Sequence, residues 1–168
     1  MTTATTTAPD CAVLAVGDRV PSFTLLDQHG TPVSLDDQLG TRNVVLVFVP
    51  FAFSGICTGE LREIRDRLED FEGDDVTVLV VSCDSIYSMR VWADIEGYFF
   101  PLLSDFWPHG EVARAYGVFS EDNGFALRGT FLIDRDGILR WSATSATGAA
   151  RDFDEFRVAL ADLRSLAH

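Results

Sequence analysis

A chain of 168 residues, 47% apolar and 23% charged, has the balance of a globular protein large enough to bury a core, which excludes a disordered or fibrous class. A net charge of −13 excludes a nucleic-acid backbone as partner, and because all thirteen basic residues are Arg, mechanisms built on a lysine base or Schiff base are excluded as well. The N-terminal stretch has neither a basic region nor an apolar core of signal-peptide length, and no apolar run reaches the roughly eighteen residues of a membrane span, so the expectation is a cytoplasmic protein with no membrane partner.

Residues 1–12 are rich in Thr and Ala, lack periodicity and read as a mobile tail, with residues 13–168 as a single domain. Phe23 to Leu26 and Pro32 to Leu35 are short strand-like runs joined by Asp27-Gln28-His29-Gly30, a hairpin pattern that makes His29 a turn residue. Asp36 to Leu39 predicts one helical turn ending at Gly40. Val44 to Val49 is continuously apolar, the signature of a central strand covered on both faces. From Cys57 to about Phe71 the spacing predicts a helix with Leu61, Ile64, Leu68 and Phe71 on one face, stopping at Gly73. Val76 to Val81 is a second buried strand, and Asp84 or Ser85 caps a helix carrying Ile86, Met89, Trp92 and Ala93 to about Glu96.

Phe99 to Leu103 is another short apolar run, followed by a brief helix from Gly110 to Tyr116, with His109 at its start. Thr130 to Asp134 and Ile138 to Trp141 form a second hairpin through Arg135-Asp136-Gly137. The last helix begins near Asp152, which with Glu155 resembles a capping box, and carries Phe153, Phe156, Leu160 and Leu163. Strands alternating with helices predict an α/β fold with a mixed central sheet, helices placed on both faces by the βαβ crossovers, and function at the carboxyl ends of the strands.

Cys11, Cys57 and Cys83 are too few and too scattered for a disulfide framework, and no CxxC pair occurs. The three histidines do not cluster with them in sequence, so no metal and no cofactor is expected. Cys11 reads as an incidental tail thiol, and Cys83, at the end of a buried strand, as a small apolar residue first and as the one internal candidate for a resolving cysteine second. Cys57 is different. It follows a strand and the turn Pro50-Phe51-Ala52-Phe53-Ser54-Gly55, in the first turn of a helix, where unpaired N–H groups and about half a positive charge favour a thiolate.

Ionisation alone is a weak device. A free thiol has a pKa near 8.5, and lowering such a value to about 6 gains at most about thirtyfold at neutral pH. Fast chemistry at Cys57 therefore requires groups that stabilise charge developing on an attacked partner. The sequence offers the amides around Gly55 to Cys57, the Ser54 hydroxyl, Pro50 as a shield without an N–H, and a fixed cation, for which Arg128 is best placed.

Pro50-x-x-x-Ser54-x-x-Cys57 resembles the active-site motif of the peroxiredoxins. Arg128-Gly129-Thr130-Phe131-Leu132-Ile133-Asp134 is similar to the strand that carries the family's arginine, and Val81-Ser82-x-Asp84-Ser85 with Trp92 to the segment after its fourth strand. Gly59-Glu60-Leu61 and the run from Phe100 to Gly110 resemble the one-cysteine alkyl hydroperoxide reductase E subgroup of actinobacteria. The resemblance implies a thioredoxin fold of peroxiredoxin type with an N-terminal β-hairpin, and a thiol peroxidase acting on hydrogen peroxide, organic hydroperoxides and peroxynitrite. It implies that Cys57 attacks the peroxide and becomes a sulfenic acid, Ser54 holds the peroxide, Pro50 shields the site, and Arg128 stabilises thiolate and transition state. Glu60 either hydrogen-bonds Arg128 or is a charge on a helical first turn.

Some relatives carry a resolving cysteine five residues after the first, where this chain has Arg62. The implied reductant is therefore external: a glutaredoxin-like or thioredoxin-like protein, or a low-molecular-weight thiol such as mycothiol with mycoredoxin. A homodimer through the edge around Cys57 is also implied. Phe51 and Phe53 form either a collar near Cys57 or part of that interface, and Trp92, Trp107 and Trp141 read as core or interface fillers, with the site entrance as the alternative for Trp107. The alternative function is a peroxide-sensing redox adaptor that relays oxidation to a partner protein. A thioredoxin-like disulfide reductase is disfavoured, because no second cysteine lies within helical reach of Cys57.

Overall fold

In a computed structural model, which describes residues 14–71, 73, 75–145 and 151–166, the continuously apolar run Val44 to Val49 and the largely apolar run Val76 to Val81 become the centre of one sheet. These are β3 (Asn43–Phe48) and β4 (Val76–Ser82), buried at every residue because layers cover both faces. Before them come the hairpin of β1 (Thr24–Leu26) and β2 (Pro32–Ser34) and the short α1 (Leu35–Gln38). After β3 come α2 (Gly55–Asp66) and α3 (Leu68–Phe71); after β4 come α4 (Ile86–Glu96), β5 (Leu102–Ser104) and α5 (Glu111–Ala115). The chain continues through β6 (Phe119–Ser120), β7 (Phe125–Ala126), β8 (Arg128–Ile133), β9 (Leu139–Ser145) and α6 (Phe153–Leu166). The expected tail, with Cys11, lies outside the described residues, as does the side chain of Phe71.

The sheet runs β2-β1-β5-β4-β3-β8-β9, with β3, β4 and β5 parallel and the rest joined antiparallel. Period-two alternation splits the core. Val45, Val47, Val49, Val78 and Val80 meet α2, α4 and α6 through Leu61, Ile64, Met89, Trp92 and Phe156. Val44, Leu46, Phe48, Leu79 and Val81 meet Leu35 of α1 and Val112 and Ala113 of α5, together with Tyr116.

The expectation that the crossovers place helices on both faces needs correcting. β3, β4 and β5 step outward in one direction, so two right-handed crossovers put α2 and α4 on the same face. The other face is closed by α1 and α5 instead. The predicted helix to Phe71 is also interrupted: Arg67, at φ −121 and ψ 35, ends α2 and separates it from α3. The hairpin of β6 and β7 is an addition to the predicted elements, although Asn123-Gly124 between Phe119 and Phe125 is a turn signal for one. β9 runs to Ser145 rather than Trp141, because an edge strand keeps pairing where one face turns polar. His109 stands outside α5, whose N-cap is Gly110, and its ring nitrogens instead meet the carbonyls of Phe106 and Gly124.

With no capping side chain on Gly110, α5 takes its cap from a distance: the Asp105 carboxylate accepts from the N–H groups of Val112 (3.1 Å) and Ala113 (2.9 Å). Burial raises the Asp105 carboxyl above its ordinary pKa, against the pull of those two donors. Asp105→Ala leaves both amides unsatisfied and is expected to cost about 2 kcal/mol, with Asp105→Asn intermediate. A lowered urea midpoint at unchanged slope is the expected reading.

Candidate active site

Antiparallel pairing places the start of β8 at the end of β3, with Gly129 opposite Phe48, so Arg128 sits where the chain leaves the sheet for Pro50. Gly129 is needed there because a Cβ would lie 2.9 Å from Val118 Cγ1 and 3.0 Å from the Phe131 ring. Pro50 is buried at the head of the loop. The loop is then fixed from the end of β4: the Asp84 carboxylate accepts from the Ala52 N–H at 2.8 Å and from the Ser82 hydroxyl. Phe53 adopts φ +66, the left-handed region that costs a bulky residue roughly 1–2 kcal/mol and that clusters at functional loops.

That strained residue delivers Ser54 as the N-cap of α2. Its Oγ accepts from the Cys57 N–H at 3.3 Å, which satisfies the cap and leaves its own O–H to donate elsewhere. The Cys57 amide, expected to point at a bound partner, is thus taken by Ser54. Cys57 itself is fully buried.

Arg128 reaches the sulfur. Its Nη2 lies 3.4 Å from Cys57 Sγ, its Nη1 donates to Glu60 Oε2 at 2.7 Å, and its buried Nε has no partner. Glu60 is buried and hydrogen-bonded to Arg128, which decides between its two readings. Arg151 joins them without any local sequence signal. Its backbone N–H donates to Glu60 Oε1 at 2.9 Å, and its guanidinium donates to the Phe48 carbonyl, to the Gly129 carbonyl (3.3 Å) and to Thr130 Oγ1 (3.2 Å). Burial pushes the Arg151 guanidinium below its ordinary pKa, and Glu60 opposes that shift. Arg151, in the lead-in to an amphipathic helix, has no local mark of burial, and only its docking over the ends of β3 and β8 buries the charge.

Glu60 is therefore one carboxylate between two buried guanidiniums. Removing it leaves uncompensated buried charge, so Glu60→Ala is expected to destabilise the fold by roughly 3–5 kcal/mol and Glu60→Gln by less. Urea unfolding read by tryptophan fluorescence checks both.

Cys83 belongs to the core on the opposite face of the sheet from Cys57. Burial first, then the charge of Asp105, pushes its thiol up to about 12, so it stays protonated at neutral pH. Trp107 does not reach the Cys57 site. It is 81% exposed and lines a separate cavity of about 320 Å³ with Leu26, Ser85, Tyr87 and Phe106. Trp92 is core, and Trp141 packs on Phe156. Phe51 and Phe53, about half exposed, contact Phe125 and Trp92 respectively. Among the described residues no group of three His, Cys, Asp or Glu side chains is placed to hold a metal ion, and no helix is long and apolar enough to cross a membrane.

Residues 16–142 match the model of the AhpC/TSA family. Alkyl hydroperoxide reductase E of Mycobacterium tuberculosis is 49% identical over 151 residues, covering 90% of this chain and 99% of that protein. The chloroplastic 2-Cys peroxiredoxin BAS1 of Hordeum vulgare is 34% identical over 83% of this chain and 70% of its own. Among solved structures, peroxidoxin BcpB from Mycobacterium tuberculosis superposes with a TM-score of 0.78 at 32% identity, covering 90% and 97% of the two chains. The reduced 2-Cys peroxiredoxin of Plasmodium vivax gives 0.78 at 26% identity, covering 91% and 99%. The fold is thioredoxin-like, with the mixed central sheet and N-terminal hairpin that the sequence resemblance implied.

Proposed function

Because this chain belongs to the AhpC/TSA family, the peroxiredoxins, and is a peroxidase, we propose that Cys57 is its nucleophile, carried by a single domain over residues 13–168. The observation that carries this reading is the 3.4 Å approach of Arg128 Nη2 to a buried Cys57 sulfur, with the Nε of the same guanidinium left unpartnered. Nε and Nη2 share one edge of the planar fork, so the group that holds the sulfur has a second donor ready for an oxygen beside it.

The thiolate attacks one oxygen of ROOH. The S–O bond forms as the O–O bond breaks, the sulfur loses two electrons, and the departing RO⁻ takes a proton to leave as water or an alcohol. Arg128 stabilises the charge moving onto the leaving oxygen. The Ser54 hydroxyl donates to the peroxide, and Pro50 keeps water from the thiolate. Glu60 and Arg151 hold Arg128 in place. Hydrogen peroxide, organic hydroperoxides and peroxynitrite all present the same O–O bond.

The sulfenic acid is recycled by an external thiol, such as mycothiol with a mycoredoxin-like or thioredoxin-like protein. The support is that position 62 is Arg and that Cys83 sits across the sheet with its proton retained. A reducing, cytoplasmic setting suits both thiol steps. The reading includes a homodimer through the Cys57 edge, where Phe51 and Phe53 remain about half exposed.

Stopped-flow tryptophan fluorescence of the reduced protein tests the proposal. Oxidation by hydrogen peroxide is expected at least about 10³-fold faster than that of free cysteine, the product of ionisation and transition-state factors. A rate equal to that of free cysteine overturns it.

A further inference from the structure

The turn between β3 and α2 holds its shape at a cost. Phe53 sits at φ +66, in the left-handed region that glycine enters freely and a bulky side chain does not. A residue in that region persists only where its surroundings over-determine it. Packing supplies little of that constraint, because Phe53 is 51% exposed and its ring meets Trp92 at 6.2 Å between centroids. The residue before it carries a stronger tie. From the end of β4, the Asp84 carboxylate accepts from the Ala52 N–H at 2.8 Å.

The anchor is itself anchored. The fully buried Ser82 donates its hydroxyl to the same Asp84 oxygen. The Asp84 N–H donates back to Ser82 Oγ at 3.1 Å, and the Ser104 hydroxyl of β5 donates to the Asp84 carbonyl at 2.6 Å. The Asp105 N–H donates to the Ser82 carbonyl at 2.8 Å. Asp84 thus has a fixed place at the carboxyl ends of two parallel strands, from which it presents a charged acceptor to the middle amide of the turn. A hydrogen bond to a charged acceptor contributes at least as much as the left-handed conformation of a bulky residue costs. The consequence falls on Ser54, whose Oγ accepts from the Cys57 N–H at 3.3 Å and whose direction depends on the turn that delivers it. A hydroxyl that donates to a peroxide beside the sulfur has to be held within about 0.5 Å of its place.

We propose that Asp84 is a positioning residue for peroxide cleavage: its bond to the Ala52 amide offsets the strain at Phe53 and thereby aims the Ser54 hydroxyl at the peroxide. The proposal rests on Cys57 being the nucleophile and on Ser54 holding the peroxide. It assigns Asp84 no contact with sulfur or substrate.

The test is a cycle of Asp84→Ala and Phe53→Gly, read as the rate at which hydrogen peroxide oxidises the reduced protein in stopped-flow fluorescence. Without the carboxylate the strained turn is expected to be populated about tenfold less, and oxidation to slow about tenfold with it. Phe53→Gly removes the strain, since glycine adopts positive φ about as readily as negative. In that background Asp84→Ala is expected to slow oxidation by no more than about twofold. A residue that only stabilises the fold would cost the same in both backgrounds, because its contribution would not couple to position 53. Asp84→Asn keeps an oxygen acceptor at about half the strength. It should lose about threefold in the parent and nothing after Phe53→Gly, and it carries the same test if the alanine variant does not fold. A parental rate in Asp84→Ala, or equal losses in the two backgrounds, overturns the proposal. Failure of the underlying reading shows separately, as peroxide consumption surviving Cys57→Ser.

Discussion

Cys57→Ser is expected to abolish peroxide consumption, leaving only the uncatalysed background, while Cys83→Ser turns over like the parent. A serine hydroxyl in place of the thiol keeps the N-terminal turn of α2 and the contact with Arg128, but it neither ionises near neutral pH nor forms a reducible oxygen adduct. The site would be intact and inert. Cys83 lies in the other half of the core, on the far face of the sheet. With its thiol pushed up to about 12, only about one molecule in 10⁵ is a thiolate at pH 7. Consumption of hydrogen peroxide with dithiothreitol as reductant, followed by mass spectrometry of the oxidised protein, separates the two cysteines. If Cys83→Ser stops turnover but still forms the sulfenic acid, the reductant is internal and the external-thiol reading fails.

Legibility in the sequence divides along physical lines. Pro50, Ser54 and Cys57 lie within one turn and cap, where strand, φ and helix signals are local, and the structure builds that turn as expected. The dense apolar runs of β3 and β4 announce burial on both sides, which two packed layers then supply. Which face each helix occupies depends on strand order, and strand order is not written in any window of residues. Arg128 is legible because the family resemblance points to it; Arg151, which shares Glu60 with it, is not, since nothing local distinguishes a buried guanidinium from a solvated one. Trp107 shows the same limit: read first as a core or interface filler, it is exposed, and the loop carries it to the cavity beside Leu26 and Tyr87. Phe53 at φ +66 has no signal either, since the left-handed region there would ordinarily ask for glycine.

Arg128→Ala separates the two contributions that the site combines, and it is expected to slow oxidation by about 10³ at pH 7 or more. For any thiol at neutral pH, the most that fuller ionisation can contribute to the rate is about thirtyfold. The substitution also removes the Nη2 donor 3.4 Å from the sulfur and the unpartnered Nε beside it, and preorganised donors of this kind contribute about 10²-fold or more. The two factors divide on raising the pH. At about pH 10 an ordinary thiol is ionised whether or not an arginine is present, so any remaining deficit is transition-state stabilisation alone. A residual loss of at least about 10² at that pH is the expected result, read by stopped-flow oxidation of the reduced variant. Arg128→Lys supplies the charge as a point without the planar fork, cannot span Glu60 and the sulfur at once, and should recover little of the transition-state factor. If the alanine variant regains the parental rate at high pH, Arg128 acts only by ionising Cys57, and its part in cleaving the O–O bond falls.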